Sequence, residues 1–157
     1  MTCLIAANAN ADAQELHFEP NLPIGEAKGI FPGRVTWIRD SKAALWNGKD
    51  GHWWDEGNID QKRLDSMYDK SVCALTGAAT PKKAWKSIFV YFNNQHGRGS
   101  KGYRKGEKIA IKINLNNTYD VNDRDNDIDQ SPQATIALLR QLTEHAGVPQ
   151  ECITVYD

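Results

Sequence analysis

Residues 107–115, EKIAIKINL, decide the fold of this chain. Branched apolar residues occupy every second position from 109 to 115, and this period of two is typical of a β-strand. Ser131 with Pro132 then opens a helix, which Gly147 ends, and residues 152–156 form another apolar, strand-like run. A strand, a helix and a strand at this spacing predict a βαβ unit with two parallel strands.

Upstream of this unit the sequence predicts two helices and one more strand. Asn58 is the predicted cap of a helix that ends at Gly77, and Thr80 with Pro81 opens the next helix. Residues 34–39, RVTWIR, are β-branched and aromatic on both faces, which favours a strand in a sheet covered by helices. We therefore expect an α/β fold with a Rossmann-like three-layer arrangement and a short, mostly parallel sheet.

The length of the chain and its number of predicted strands indicate how its domain is organised. The chain has 157 residues, which suits one domain, but three strands are few for a covered parallel sheet. We expect residues 14–157 to form an α/β domain that is the N-terminal part of a longer one.

Residues 1–13, MTCLIAANANADA, are expected to lie outside that domain. A short apolar run is followed by alternating alanines, as at a signal peptidase site. This pattern predicts a signal-peptide remnant, with a mature N-terminus near Gln14 and export to the periplasm or cell surface. A disordered N-terminus is the alternative.

Composition and charge exclude several classes of protein. Hydrophobic residues make up 40% of the chain and charged residues 25%, unlike a wholly disordered chain or a collagen-like fibre. The net charge of −1 gives no general electrostatic reason to bind nucleic acid or an anionic membrane. No run of about 18 apolar residues predicts a transmembrane segment. The three cysteines and four histidines lack disulfide or metal-ligand spacing, so no metal site is predicted.

The run 106–117, GEKIAIKINLNN, resembles the signature strand of domain-of-unknown-function family 362, whose pattern is roughly G-x-K, two hydrophobic residues, then I-K-P-N-L. Lys112, Asn114 and Leu115 match this pattern, and Ile113 stands where the family has proline. The helix ending in Ala-Gly and the strand ending in an acidic residue follow in the family's order.

The resemblance extends over residues 25–157, because the segment GIFPGRVTWIRD is also similar to the start of exported bacterial members. It implies a longer α/β domain and no particular activity. Some relatives carry iron–sulfur cysteine motifs, but this sequence has none, so the resemblance brings no cofactor with it.

The leading candidate site is the C-terminal end of the 108–115 strand. Ligands of parallel α/β sheets bind outside the carboxyl ends of the strands, near helix N-termini that favour anions. A lysine in an apolar strand needs a carboxylate, a ligand or water. We therefore predict a site for a small anionic or polar ligand, formed by Lys112, Asn114, Asn116, Asn117 and Ser131. The alternative is a salt-bridged lysine and a capping asparagine.

The protein would be part of an enzyme of unknown reaction or a binding protein, since no general base or nucleophile is indicated.

A second candidate comes from another functional class. Trp46, Trp53 and Trp54 lie in a glycine-rich loop, and such aromatic side chains stack on sugar rings. They predict a non-catalytic carbohydrate- or surface-binding protein, unless the rings pack the loop against the core.

Two further loops have simpler interpretations. Residues 120–129 carry alternating aspartates but lack the glycine and glutamate of an EF-hand, so a solvated acidic loop is expected, with a looser cation site as the alternative. Residues 98–105 are basic and glycine-rich without the spacing of a P-loop, which favours a solvated basic loop.

Overall fold

The computed structural model describes residues 20–22, 24–115 and 130–157. Its main elements are α1 (Gln61–Thr76), α2 (Pro81–Gln95), β1 (Ile109–Lys112), α3 (Pro132–Arg140) and β2 (Ile153–Tyr156). A mixed α/β architecture is thus confirmed. No helix in the described ranges is long and apolar enough to cross a membrane.

Side-chain caps fix where the helices begin. Thr80 accepts a hydrogen bond from the Lys83 amide at 3.4 Å, and Ser131 accepts one from the Ala134 amide at 3.2 Å, as predicted. The predicted cap of α1 is wrong by two residues. Asp60, not Asn58, caps α1, because its carboxylate accepts the Arg63 amide at 3.1 Å.

The two strands pair in parallel, which confirms the predicted βαβ unit. The register runs from Ile109 opposite Ile153 to Lys112 opposite Tyr156, and the Ile113 amide adds a bond to the Tyr156 carbonyl at 2.8 Å. Strand β1 is shorter than the predicted 107–115 run, because hydrogen bonding to β2 ends at the Ile113 amide.

The predicted strand at 34–39 does not form. Val35 and Trp37 are 88% and 79% exposed, and no neighbouring strand pairs with them in the described chain. This segment is instead held to α1 by side chains. Arg34 Nη1 donates to the Ala74 carbonyl at 3.3 Å, and the Thr36 hydroxyl lies 3.2 Å from the Ser71 hydroxyl.

The core lies between the helices and one face of the sheet. Leu142, Val148 and Cys152 are buried at its centre. The partly buried residues packed on them include the aromatic side chains of α2 and the inward side chains of the strands: Trp85, Phe89, Tyr103, Ile109, Ile111, Ala146 and Ile153. Ala110, Lys112, Thr154 and Tyr156, on the opposite face, are exposed, so the described residues form two layers. The third layer of the expected arrangement stays a prediction.

A buried amide joins the three helices. Helix α3 continues into a π-helical turn, Gln141–His145, and Gln141 is 2% exposed. Its Nε2 donates to Asp69 of α1 at 2.6 Å, and its Oε1 accepts the Trp85 indole of α2 at 3.1 Å. Because both ends of the amide are satisfied, its burial does not leave a polar group unpaired.

Candidate functional site

Lys112 and Asn114 lie together at the carboxyl end of β1. Lys112 Nζ donates to Asn114 Oδ1 and to the Ile113 carbonyl, both at 3.1 Å. The Lys112 side chain is 55% exposed, so the ammonium group is also open to solvent. The lysine therefore avoids the cost of burial in a covered strand.

Asp157 completes this cluster, and it is the site residue that sequence reasoning missed. Its Oδ1 lies 3.4 Å from Lys112 Nζ and accepts the Leu115 amide at the same distance. The parallel register places residue 157 beyond Tyr156, next to the residues that follow Lys112. That register was the one signal that would have found it. The cluster thus offers an ammonium, an amide and a carboxylate to a ligand.

The start of α3 is bonded directly to this strand end. The Gln130 amide donates to the Asn114 carbonyl at 3.0 Å. The Ser131 hydroxyl accepts from Ala134 and donates to Gln133 Oε1 at 3.1 Å, so its bonds position the helix. Asn116 and Asn117 lie outside the described residues, as does the acidic stretch 120–129.

The tryptophan loop is packed largely on itself. Trp54 stacks on His52 with ring centroids 4.5 Å apart, and Trp53 meets Trp54 edge-on at 5.4 Å. The Trp46 indole donates to the Asp50 carbonyl at 2.9 Å. All three tryptophans are partly exposed residues, so packing and a binding surface are compatible here.

Hydrogen bonds connect the two candidate sites, which sequence reasoning treated as separate. Gln133 Nε2 donates to the Trp54 carbonyl at 2.7 Å, which places the tryptophan loop against the first turn of α3. Gln130 links the same turn to Asn114, and Asn114 contacts Lys112. Among the described residues, Lys112, Asn114 and Ser131 therefore lie at the carboxyl end of the parallel strands, with Trp54 bonded to the adjoining turn of α3.

Metal-binding groups do not converge here. Within residues 20–22, 24–115 and 130–157, no three His, Cys, Asp or Glu side chains are placed to hold a metal ion.

Comparison with known proteins gives no family for the chain. No protein-family model matches it, and neither a curated protein nor a solved structure does. The resemblance to domain-of-unknown-function family 362 rests on the motif at 106–117 and the order of the elements after it.

Proposed function

We propose that this protein binds a small anionic or polar ligand at the carboxyl end of β1. One observation carries the proposal: Lys112 Nζ and Asn114 Oδ1, 3.1 Å apart and solvent-accessible, lie beside the start of α3 at the end of two parallel strands. Lys112 is the charge partner of the ligand, and Asn114 orients it. Asn116, Asn117 and Ser131 complete the proposed site.

Asp157 sets the chemistry of this site. In the free protein its carboxylate, 3.4 Å away, is the anionic partner of Lys112. A carboxylate or phosphate on the ligand competes with it for the same ammonium group. Removing the charge of Asp157 should therefore tighten the binding of an anion, whereas removing Lys112 should abolish it.

The motif at 106–117 and the alanine pattern of residues 1–13 support three wider proposals. The chain is a member of domain-of-unknown-function family 362, its fold is a Rossmann-like three-layer arrangement, and it is exported. Mass spectrometry of the protein from its host tests the export proposal. A mature N-terminus near Gln14 is expected, and an intact Met1 would contradict it.

A carbohydrate-binding role is the second candidate. The bond from Gln133 to the Trp54 carbonyl favours it, because this bond brings the aromatic loop to the end of the sheet where ligands bind. In this alternative Trp46, Trp53 and Trp54 stack on sugar rings and Lys112 plays no part in binding.

Ligand-observed NMR with glucuronate and glucose separates the two functions. On the first proposal, Lys112→Ala abolishes glucuronate binding, and Asp157→Asn strengthens it. On the second, Trp53→Ala and Trp54→Ala abolish glucose binding while Lys112→Ala changes nothing. Lys105→Ala is the matched control, since Lys105 is exposed and has no ion pair in the described part of the chain. Unaltered glucuronate binding by Lys112→Ala would contradict the first proposal.

A further inference from the structure

A groove of about 560 Å³ lies at the other end of the molecule, near the amino ends of the strands. The side chains that matter for its chemistry are Lys82, Lys83, Lys86, Phe89, Tyr103 and His145. The first four belong to α2, Tyr103 precedes β1, and His145 ends the π-helical turn after α3. Because α3 runs from Ser131 back toward His145, this groove is distinct from the site at Lys112.

The groove concentrates positive charge without a counterion. Within the described residues, Lys82, Lys83 and Lys86 have no ion pair and no side-chain hydrogen bond. Residues 80–108 carry eight Lys and Arg side chains and a single acidic one, in a chain whose net charge is −1. The first turn of α2 has no acidic residue, so these lysines repel one another at the positive end of a helix dipole. An anion bound there would relieve that repulsion.

The opposite wall of the groove is aromatic and held in place. Phe89 and Tyr103 meet edge to face, with ring centroids 5.6 Å apart. The Tyr103 hydroxyl donates to the Glu107 carbonyl at 3.0 Å, which fixes the ring. The buried Asn93 amide donates to the Lys101 and Gly102 carbonyls at 2.8 and 3.2 Å, which fixes the rim of the groove.

Little inside the groove competes with an anionic ligand for the lysines. His145 is paired with Asp69, Nε2 to Oδ1, at 3.4 Å. That carboxylate forms no ion pair with Lys82, Lys83 or Lys86. The ammonium groups therefore meet water in the free protein.

We propose that this groove binds a phosphate monoester that carries an aromatic ring, with the phosphate at Lys82, Lys83 and Lys86 and the ring against Phe89 and Tyr103. Its volume is in the range of small-ligand sites, which combine an apolar wall with a few charged groups. Three lysine ammonium groups more than neutralise the two negative charges of the phosphate. The inference does not depend on the proposed function at Lys112.

Isothermal titration calorimetry of the full chain with phenyl phosphate tests the proposal. We expect saturable binding, with inorganic phosphate about tenfold weaker because it lacks the ring. Lys83→Glu with Lys86→Glu should weaken phenyl phosphate binding by more than about tenfold, and Lys86→Ala alone by roughly threefold to tenfold. Lys62→Glu with Lys70→Glu is the matched control, since it reverses the same number of exposed charges on α1.

Four outcomes would overturn the proposal. These are no heat of binding at millimolar phenyl phosphate, equal affinity for inorganic phosphate, equal weakening by the α1 control, and tighter binding of a single-stranded oligonucleotide than of phenyl phosphate. The last would indicate a surface for polyanions. Circular dichroism melting of each variant checks that the compared proteins are folded. Lys86→Ala removes only one exposed side chain, so this variant is expected to fold even where a double charge reversal does not.

Discussion

Gln141 donates from Nε2 to Asp69 Oδ1 over 2.6 Å, and this bond ties the π-helical turn after α3 to α1. The turn is defined by the bond from the Ala146 amide to the Gln141 carbonyl, at 3.1 Å. Trp85 donates to the other end of the same buried amide. A single side chain thus fixes the relative positions of three helices. From the sequence alone, a polar glutamine would be expected at the surface.

The first prediction concerns this amide. Gln141→Ala should lower the free energy of unfolding by about 2–4 kcal/mol, because it leaves a cavity and removes one hydrogen-bond partner each from the Asp69 carboxylate and the Trp85 indole. Urea unfolding followed by circular dichroism measures the change. The exposed Gln95, at the end of α2, provides the control, and Gln95→Ala should change stability by less than about 0.5 kcal/mol. Similar losses for both variants would refute the role of Gln141.

The second prediction tests the absence of a strand at 34–39. Trp37 is 79% exposed, so Trp37→Ala should change the free energy of unfolding by less than about 1 kcal/mol. A tryptophan in a covered strand would cost about 3–5 kcal/mol when truncated. Ile111→Ala is the comparison, since Ile111 packs on the core from β1, and it should cost about 2–4 kcal/mol. A loss for Trp37→Ala that equals the loss for Ile111→Ala would mean that this strand is covered after all.

The third prediction concerns acid stability. The pKa of Glu107 lies below the ordinary glutamate value, first because its carboxylate accepts the Arg104 amide at 2.7 Å, and also because the Arg104 and Arg98 guanidinium groups lie nearby. A carboxylate with a lowered folded-state pKa stabilises the protein above the pKa of the unfolded chain. This contribution is lost as the pH falls through the folded-state pKa.

Glu107→Gln should therefore destabilise the protein at neutral pH and flatten its loss of stability in acid. Urea unfolding at a series of pH values between 7 and 3 measures both effects. Glu56→Gln is the control, because Glu56 is exposed and has no ion pair within the described residues. If the two variants give the same pH profile, the Arg104 contacts have no influence on stability.

The fourth prediction concerns thiol chemistry. Burial raises the pKa of the Cys73 thiol, and the Asp69 carboxylate raises it further. Less thiolate is then present at neutral pH, so alkylation of Cys73 by iodoacetamide should be slower than that of a free cysteine and should accelerate only at higher pH. Peptide mass spectrometry resolves Cys73 from the other cysteines. An alkylation profile like that of an unstructured cysteine peptide would contradict the shift.

Local chemistry explains which parts of the fold the sequence predicted. The caps at Thr80 and Ser131 depend on neighbouring residues, and the βαβ unit depends on the spacing of two apolar runs. Residues 34–39 have the composition of a strand, but a strand also needs a partner, which composition does not specify. Strand propensity was therefore overridden by contacts with α1.

The residues of the candidate site likewise fall into those that local sequence predicts and those that only the packed fold brings together. Lys112 and Asn114 are two residues apart on one strand, so their proximity followed from the period of two. Asp157 joins them through the register of a distant strand, and Trp54 through a bond to Gln133, 79 residues away. Contacts between residues so far apart depend on the packed fold, and no local pattern encodes them.

The uneven distribution of charge along the chain has a consequence for its behaviour at interfaces. Eight of the nineteen basic side chains fall in residues 80–108, while nineteen of the twenty acidic ones fall elsewhere, so positive charge is concentrated in one segment of a chain whose net charge is −1. At low ionic strength we expect this segment to hold the protein on cation-exchange resin at neutral pH, although the pI of the chain is about 6.4. It approaches a negatively charged surface with the lysine face of α2 in front. Near 0.15 M salt, where the Debye length is about 8 Å, this orientation fades and the protein elutes.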